Sequence, residues 1–509
     1  MLVSNFIWVF FDNVIKNKDN NPTKLSVLMY CYFQMLYNFG TIFKKTAIQS
    51  TDRVKPLPGY NELKAKYTSS EFNDNERLNI LENFLYIGHS AFLAYLYKTV
   101  PMSRRDYGIK PYEISSSVEN NLIQWSIEHV TGKTLELSRA GFSTKNTTGL
   151  RADYIGGKTD KKYWEQLIVP TGVKRGVYNL PLIDFNDPLS YKIQNFLGKE
   201  FYLNSGFAVN PTKNIINLQD EISKTWDTGL KEQMDKLLEV YTNLDDSKKM
   251  TAELFAGSSA GVLPPPGFFI CLATQLSQKY KQNTQNDLAM YFSLSAGIFD
   301  ACCGAWWYKA NYEQARPINL IRNNYTDNYL KTWTPLAPGQ LFGSIPGKRW
   351  LPYQEFTFVT PPFPDVASGH TTFSQVAARI LDWWFNNPVL YDGFTCVNIP
   401  NEKIICPSLN LANKVVCLGE YILQKGSSMI EPGVTPKSEI VFRYKTLREL
   451  ADSAGLSRIY GGIHSFQTNE VSAKLAEWIA NQTIPKLKSE FKFSSPYGSN
   501  GELKKKKRV

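Results

Sequence analysis

The chain runs to 509 residues, more than one core of ordinary size accommodates, so two helical layers or domains are expected. Hydrophobic residues make up 43% and charged residues 20%, the balance of a folded globular chain rather than of a disordered or collagen-like one. Lys504, Lys505, Lys506, Lys507 and Arg508 hold five of the +11 net charges, and the diffuse +6 that remains does not point to nucleic acid.

No targeting or membrane segment is recognised. The apolar run Phe6 to Phe11 has no basic residue before it and Asp12 directly after it, unlike a signal peptide. The uncharged stretch Leu254 to Ser277 contains Pro264, Pro265 and Pro266, which would break a spanning helix. The chain is therefore expected not to be membrane-embedded; its compartment and oligomeric state stay open. The seven cysteines lack metal-ligand spacing. Cys302 and Cys303 suit packing, whereas Cys396, Cys406 and Cys417 could pair in an oxidising compartment.

In chain order, apolar periodicity predicts helices first. Leu25, Leu28, Met29, Tyr32, Met35, Leu36 and Phe39 form one stripe, and Leu78, Leu81, Leu85, Phe92 and Leu96 form another. Residues 136–215, rich in Gly, Thr, Asn and Pro, read as long loops or short strands. The polar run Asp245 to Lys249 suggests a boundary near residue 248. It separates an N-terminal helical domain, 1–248, from a catalytic helical domain, 249–490, followed by a basic tail, 491–509. Within the second domain, residues 286–315 read as one long helix with small side chains that let neighbours approach. Residues 369–386 read as another, closed by Asn386, Asn387 and Pro388. Residues 387–445 mix turn residues with short apolar runs.

Three short elements of the second domain suit a tetrahedral oxyanion, phosphate or vanadate. Lys309 and Arg316 are seven residues apart, about two turns of a helix, so both cations are expected on nearly one face, with Pro317 closing the helix. A guanidinium fork and an ammonium point charge together match an anion with several oxygens. Two solvent-facing charges, with Glu313 as the partner of Lys309, would be the bland alternative. Ser368, Gly369 and His370 stand at the start of the second helix, where free N–H groups and the helix dipole favour an anion. The Ser368 hydroxyl can donate to an oxygen, and His370 can exchange a proton near neutral pH. Arg458 and His464 are six residues apart, a spacing that a regular helix would not aim at one point. Gly461 and Gly462 between them permit a break.

Taken together, these elements resemble the superfamily of vanadium-dependent haloperoxidases and type 2 phosphatidic acid phosphatases. The flanking residues resemble its haloperoxidase branch: Ala252 to Phe255, Pro265 to Gly267, Trp306, Pro361 to Pro364, and Ser457 to His464. The resemblance covers roughly residues 250 to 480. It implies an all-α fold of two four-helix bundles with long irregular loops. His464 would be the metal ligand to vanadium. Lys309, Arg316, Ser368, Gly369 and Arg458 would hold the oxygens of vanadate, or of phosphate in the same site. His370, His464 and Lys309 would be the catalytic residues, with His370 as acid–base group. Hydrogen peroxide and halide would be the substrates. Trp306 and Phe363 would line the halide side, where enzymes that favour bromide tend to carry histidine at the position of Phe363.

Two departures stand out. Ala367 occupies the place of the usual proline before Ser368. Thr468 stands four residues after His464, where the family often has an aspartate, so a carboxylate that orients a ring or anchors Arg458 is missing from its usual place. Glu253 is the candidate substitute. The leading expectation is a vanadium haloperoxidase. The alternatives are an acid-phosphatase-like phosphomonoesterase acting on a phosphate ester, in which His464 attacks phosphorus, and a non-catalytic anion-binding protein.

Overall fold

The computed structural model describes residues 150–498, apart from a few single positions and the stretches 152–161, 176–180, 198–205, 257–263, 335–341, 399–414 and 491–493. The helical stripes expected at 25–39 and 78–96, Cys406 and the basic cluster 504–508 lie outside the described residues.

Besides two four-residue helices, Pro211–Asn214 and Gln219–Ile222, eight longer ones carry the described fold: α1 (Leu230–Thr242), α2 (Asp246–Leu254), α3 (Pro265–Lys279), α4 (Thr284–Tyr312), α5 (Pro317–Asn324), α6 (Gly369–Phe385), α7 (Leu447–Tyr460) and α8 (Phe466–Glu490). Several starts are written locally. Asp245 caps α2 through Lys248 N–H, and Thr446 with Glu449 forms a capping box on α7. The boundary expected near residue 248 falls inside α2, and α2 packs on α7. Around the helices lie small sheets. Strands β1 (Leu150–Arg151), β2 (Leu167–Pro170) and β3 (Tyr191–Ile193) form one in that order, within the segment expected to hold short strands. Three two-stranded antiparallel pairs follow: β4 (Tyr329–Trp333) with β5 (Phe342–Pro346), β6 (Cys396–Asn398) with β7 (Val415–Cys417), and β8 (Glu420–Leu423) with β9 (Ile440–Arg443). Cys396 stands opposite Cys417, both as free thiols.

Helix α6 is the axis of the bundle and packs on α3, α4, α7 and α8. Its side chains are buried almost all round, from Thr371 to Phe385, as expected of a helix enclosed by others. Small residues on α4 make the close approach possible: a Cβ on Gly297 would lie 2.0 Å from Ile380 Cδ1 on α6. Burying a side chain such as Ile380 or Leu381 there contributes about 1.5–3 kcal/mol each. Two apolar clusters result. One fills the bundle between α3, α4, α6, α7 and α8. The other, with Tyr241, Trp333, Trp350 and Tyr353, lies beside it. Ala454 belongs to the first and Ile459 to the second, so the end of α7 stands where the two meet. No helix among the described residues is long and apolar enough to cross a membrane.

Candidate active site

The long helix stops short of the expected residue 315. It ends at Tyr312, and Glu313 turns out of it in a left-handed conformation, φ 45°. Beyond it Gln314 forms an isolated antiparallel bridge with Tyr163. Trp164 N–H donates to Glu313 O at 2.6 Å, Ala315 N–H to Lys162 O at 2.9 Å, and Asp365 N–H to Gln314 O at 2.9 Å. Arg316 is the N-cap residue of α5, and Pro317 opens that helix at the position where a missing N–H costs nothing. The expected single helix face bearing both cations is therefore corrected: Lys309 comes from the end of α4 and Arg316 from the start of α5. Neither cation faces solvent, for both side chains are fully buried.

Lys309 Nζ donates to Pro364 O at 2.7 Å and Asp365 O at 3.1 Å, and lies 4.6 Å from the centre of the Phe363 ring. Arg316 donates through Nε to Phe363 O at 2.8 Å and through Nη1 to Ile463 O at 2.6 Å. Its Nη2 is buried with no partner. Arg458 donates through Nη2 to Ala252 O at 2.6 Å, through Nη1 to Ala256 O at 3.3 Å, and through Nε to Ser457 Oγ at 3.0 Å. It thus satisfies carbonyls at the end of α2. Burial pushes the Arg316 guanidinium down to about 10, with Asp365 opposing the shift. Burial and then the charge of Arg316 push Arg458 down to about 9. Lys309 falls well below the ordinary lysine range, first from burial and then from Arg316. These cations are desolvated and repel one another, the condition under which a bound anion gains most.

Ser368 is the N-cap of α6, its hydroxyl accepting from Thr371 N–H at 3.3 Å, while its own N–H donates to Ser472 Oγ at 2.7 Å. Gly369 N–H, at the first turn of α6, has no acceptor among the described residues. His370 Nε2 lies 2.8 Å from Phe255 O. A carbonyl can only accept, so Nε2 carries the hydrogen and Nδ1 is left as the proton acceptor. Burial and then Arg458 hold His370 well below the usual histidine value.

Helix α7 ends at Tyr460, and Gly461 and Gly462 break it as the sequence suggests. Gly462 has φ 69°, and a Cβ there would lie 2.2 Å from Tyr241 Oη. The turn brings His464 to Arg316, whose Nη1 is 3.3 Å from its Nε2 and 3.4 Å from its Nδ1. Burial, then Arg316, Lys309 and Arg458, hold His464 neutral, well below its ordinary value. His464 Nδ1 is hydrogen bonded to Asp365 Oδ1, and Thr468 Oγ1 donates to Asp365 Oδ2 at 2.8 Å. Burial raises Asp365, with Arg316, Thr468 and Lys309 pulling it down. The candidate carboxylate Glu253 stands elsewhere, accepting from Tyr353 Oη, Ser428 Oγ and Met429 N–H. Asp365, which directly follows Pro361 to Pro364 and carries no role in the sequence reading, is the residue that sequence reasoning missed. Trp306 and Phe363 pack with ring centres 5.3 Å apart, Trp306 buried and Phe363 half-buried.

The sequence profile of the VCPO second helical-bundle domain matches residues 289–492. This match spans the second bundle and takes in the anion-site residues from Lys309 to His464. The vanadium chloroperoxidase of Curvularia inaequalis is 26% identical over 212 residues, which are 39% of this chain and 32% of that protein. The match thus spans about a third of the curated relative's length. Two solved structures, the apo and holo types of a bacterial vanadium-dependent chloroperoxidase, align with TM-scores of 0.59 and 0.57 at 15% identity. The first alignment covers 96% of this chain and 94% of that one, the second 93% and 94%. These likenesses establish the fold.

The donor set suits an oxyanion. Among the described residues no three His, Cys, Asp or Glu side chains gather as a metal-ion cluster. Instead one histidine nitrogen stands among hydrogen-bond donors, with a buried guanidinium N–H of Arg316 awaiting an acceptor. A tetrahedral oxyanion, vanadate or phosphate, fits such a set of donors.

Proposed function

We propose that the protein is a vanadium-dependent haloperoxidase that oxidises halide with hydrogen peroxide. The observation that carries this reading is the neighbourhood of His464. Its ring is buried and neutral, its Nδ1 is occupied by Asp365, and Arg316 beside it has an unmatched N–H. The likeness to the VCPO second helical-bundle domain and to a curated vanadium chloroperoxidase supports vanadate rather than phosphate as the anion for these donors.

Each residue then has work that follows from its contacts. His464 would supply the nitrogen ligand. Arg316, Lys309, Arg458, the Ser368 hydroxyl and Gly369 N–H would hold oxygens, and their positive charge favours any negative charge that develops there. His370, with Nδ1 free to accept, would take and return the proton of bound hydrogen peroxide. Phe363 and Trp306 would limit water on one side of the site. Vanadate held in this way would supply the Lewis acidity that makes peroxide an oxidant for halide.

The test is peroxide-dependent halogenation of a dye by purified protein, with and without added orthovanadate. Halogenation that appears only with orthovanadate is the expected result. Hydrolysis of a phosphate ester without any halogenation would place the protein with the phosphatases that share the anion site. Binding of anion with neither activity would leave a non-catalytic binding protein.

A further inference from the structure

Asp365 and Thr468 are 103 residues apart in sequence and meet at His464. Position 468, where an aspartate would be usual, carries a hydroxyl, and that hydroxyl donates to Asp365 Oδ2 at 2.8 Å. The other oxygen, Oδ1, engages His464 Nδ1. Asp365 is completely buried, and Arg316 Nη1 lies 3.8 Å from Oδ1. Its backbone is held as firmly as its side chain. Its N–H donates to Gln314 O at 2.9 Å, and its carbonyl accepts from Lys309 Nζ at 3.1 Å. One residue therefore ties Lys309 through its main chain and His464 through its carboxylate.

We infer that Asp365 is the positioning carboxylate of this site, moved from the helix after His464 to the segment before Ser368, with Thr468 reduced to holding it in place. The chemistry follows from donor and acceptor types. A carboxylate accepts, so the hydrogen of the neutral imidazole is placed on Nδ1 and the lone pair on Nε2. Nε2 is then the nitrogen able to bind vanadate. A hydroxyl alone at position 468 would not impose this, since it can donate or accept. The inference rests on the reading of His464 as the nitrogen ligand.

The test compares wild type with Asp365→Ala, Thr468→Asp and the double variant Asp365→Ala/Thr468→Asp. Orthovanadate and inorganic phosphate are titrated separately into each apo-protein, and the His464 ring nitrogens are followed by NMR. Asp365→Ala is expected to weaken vanadate binding by about 10–100-fold, the range for partners that orient a metal ligand. Phosphate, which needs no bond to His464, should bind as well or more tightly, because a negative charge has gone from the site. The double variant should recover most of the vanadate affinity. NMR should show hydrogen on Nδ1 in wild type and in the double variant, and a mixture of tautomers in Asp365→Ala.

Equal weakening for both anions would mean a packing role and would overturn the inference. So would unchanged vanadate affinity in Asp365→Ala, or no recovery in a folded double variant. Should Asp365→Ala not fold, Asp365→Leu is of similar size, offers Nδ1 no acceptor and should show the same selective loss of vanadate. If His464→Ala binds vanadate as well as wild type, the haloperoxidase reading fails. The ring tautomer in the apo-protein then still decides whether Asp365 sets the ring.

Discussion

Replacing Arg316 by lysine separates charge from geometry at the site. The guanidinium is fully buried and uses Nε on Phe363 O and Nη1 on Ile463 O, which leaves Nη2 for a ligand. Lysine keeps the positive charge but not the planar fork, so its donors leave a single nitrogen and cannot reach the places that Nε, Nη1 and Nη2 reach separately. Leaving one buried carbonyl without a donor costs about 1–3 kcal/mol of stability. Losing the charged hydrogen bond to the anion costs about 1.5–3 kcal/mol of binding, or about 10–150-fold in Kd. Titration calorimetry of apo-protein with orthovanadate, repeated in the presence of phosphate, measures the binding loss. Arg322→Lys is the control. Arg322 is also buried and donates through Nε to Trp350 O at 2.9 Å, so its loss should cost stability without weakening the anion. An Arg316→Lys protein that binds orthovanadate within about threefold of wild type would show that the site attracts anions by charge alone. The fork would then have no role.

The two histidines should fail in different ways. His464→Ala should lose retained vanadate together with activity, whereas His370→Ala should bind vanadate and turn over about 10²–10⁴-fold more slowly. Because His370 is held below the ordinary histidine value, the acid limb of the wild-type rate profile should lie below pH 6.5 and vanish in His370→Ala. Equal loss of vanadate in both variants would contradict the division of roles. Phe363→His should change the relative rates for iodide, bromide and chloride. The ring that lies 4.6 Å from Lys309 Nζ and 5.1 Å from the Arg316 guanidinium carbon would become polar and titratable. An unchanged ratio of the three rates would reduce Phe363 to packing.

How far the site could be read from sequence depends on the range over which each feature is determined. The break after α7 is local: two glycines follow Tyr460, and Gly462 adopts the positive φ that such a break needs. The start of α6 is local as well, since Ser368 caps it three residues before Thr371. The end of α4 is not. Between Tyr312 and Pro317 no glycine or proline marks a stop, and Glu313, Gln314 and Ala315 are buried although the backbone there has left the helix. What draws residues 313–315 out of the helix is pairing with Lys162 and Trp164 on one side and Asp365 on the other. No window around Arg316 contains those partners, so its spacing from Lys309 resembled two helical turns.

The orienting carboxylate belongs to the same class of feature. The spacing of the three motif elements shows which groups can meet an anion, but a carboxylate beside His464 can arrive from any segment that the fold brings there. The sequence alone points to position 468 and, with threonine there, to Glu253 as the substitute. Glu253 instead binds Tyr353, Ser428 and Met429, while Asp365 arrives from the segment that also takes the hydrogen bonds of Lys309. The demand on the fold is for one acceptor at Nδ1, and the aspartate's position in sequence is free once that demand is met. Threonine at 468 is therefore no evidence of a dead site. It leaves room for Asp365 and gives it a donor, which a second aspartate at that position would not do without placing two buried carboxylates side by side.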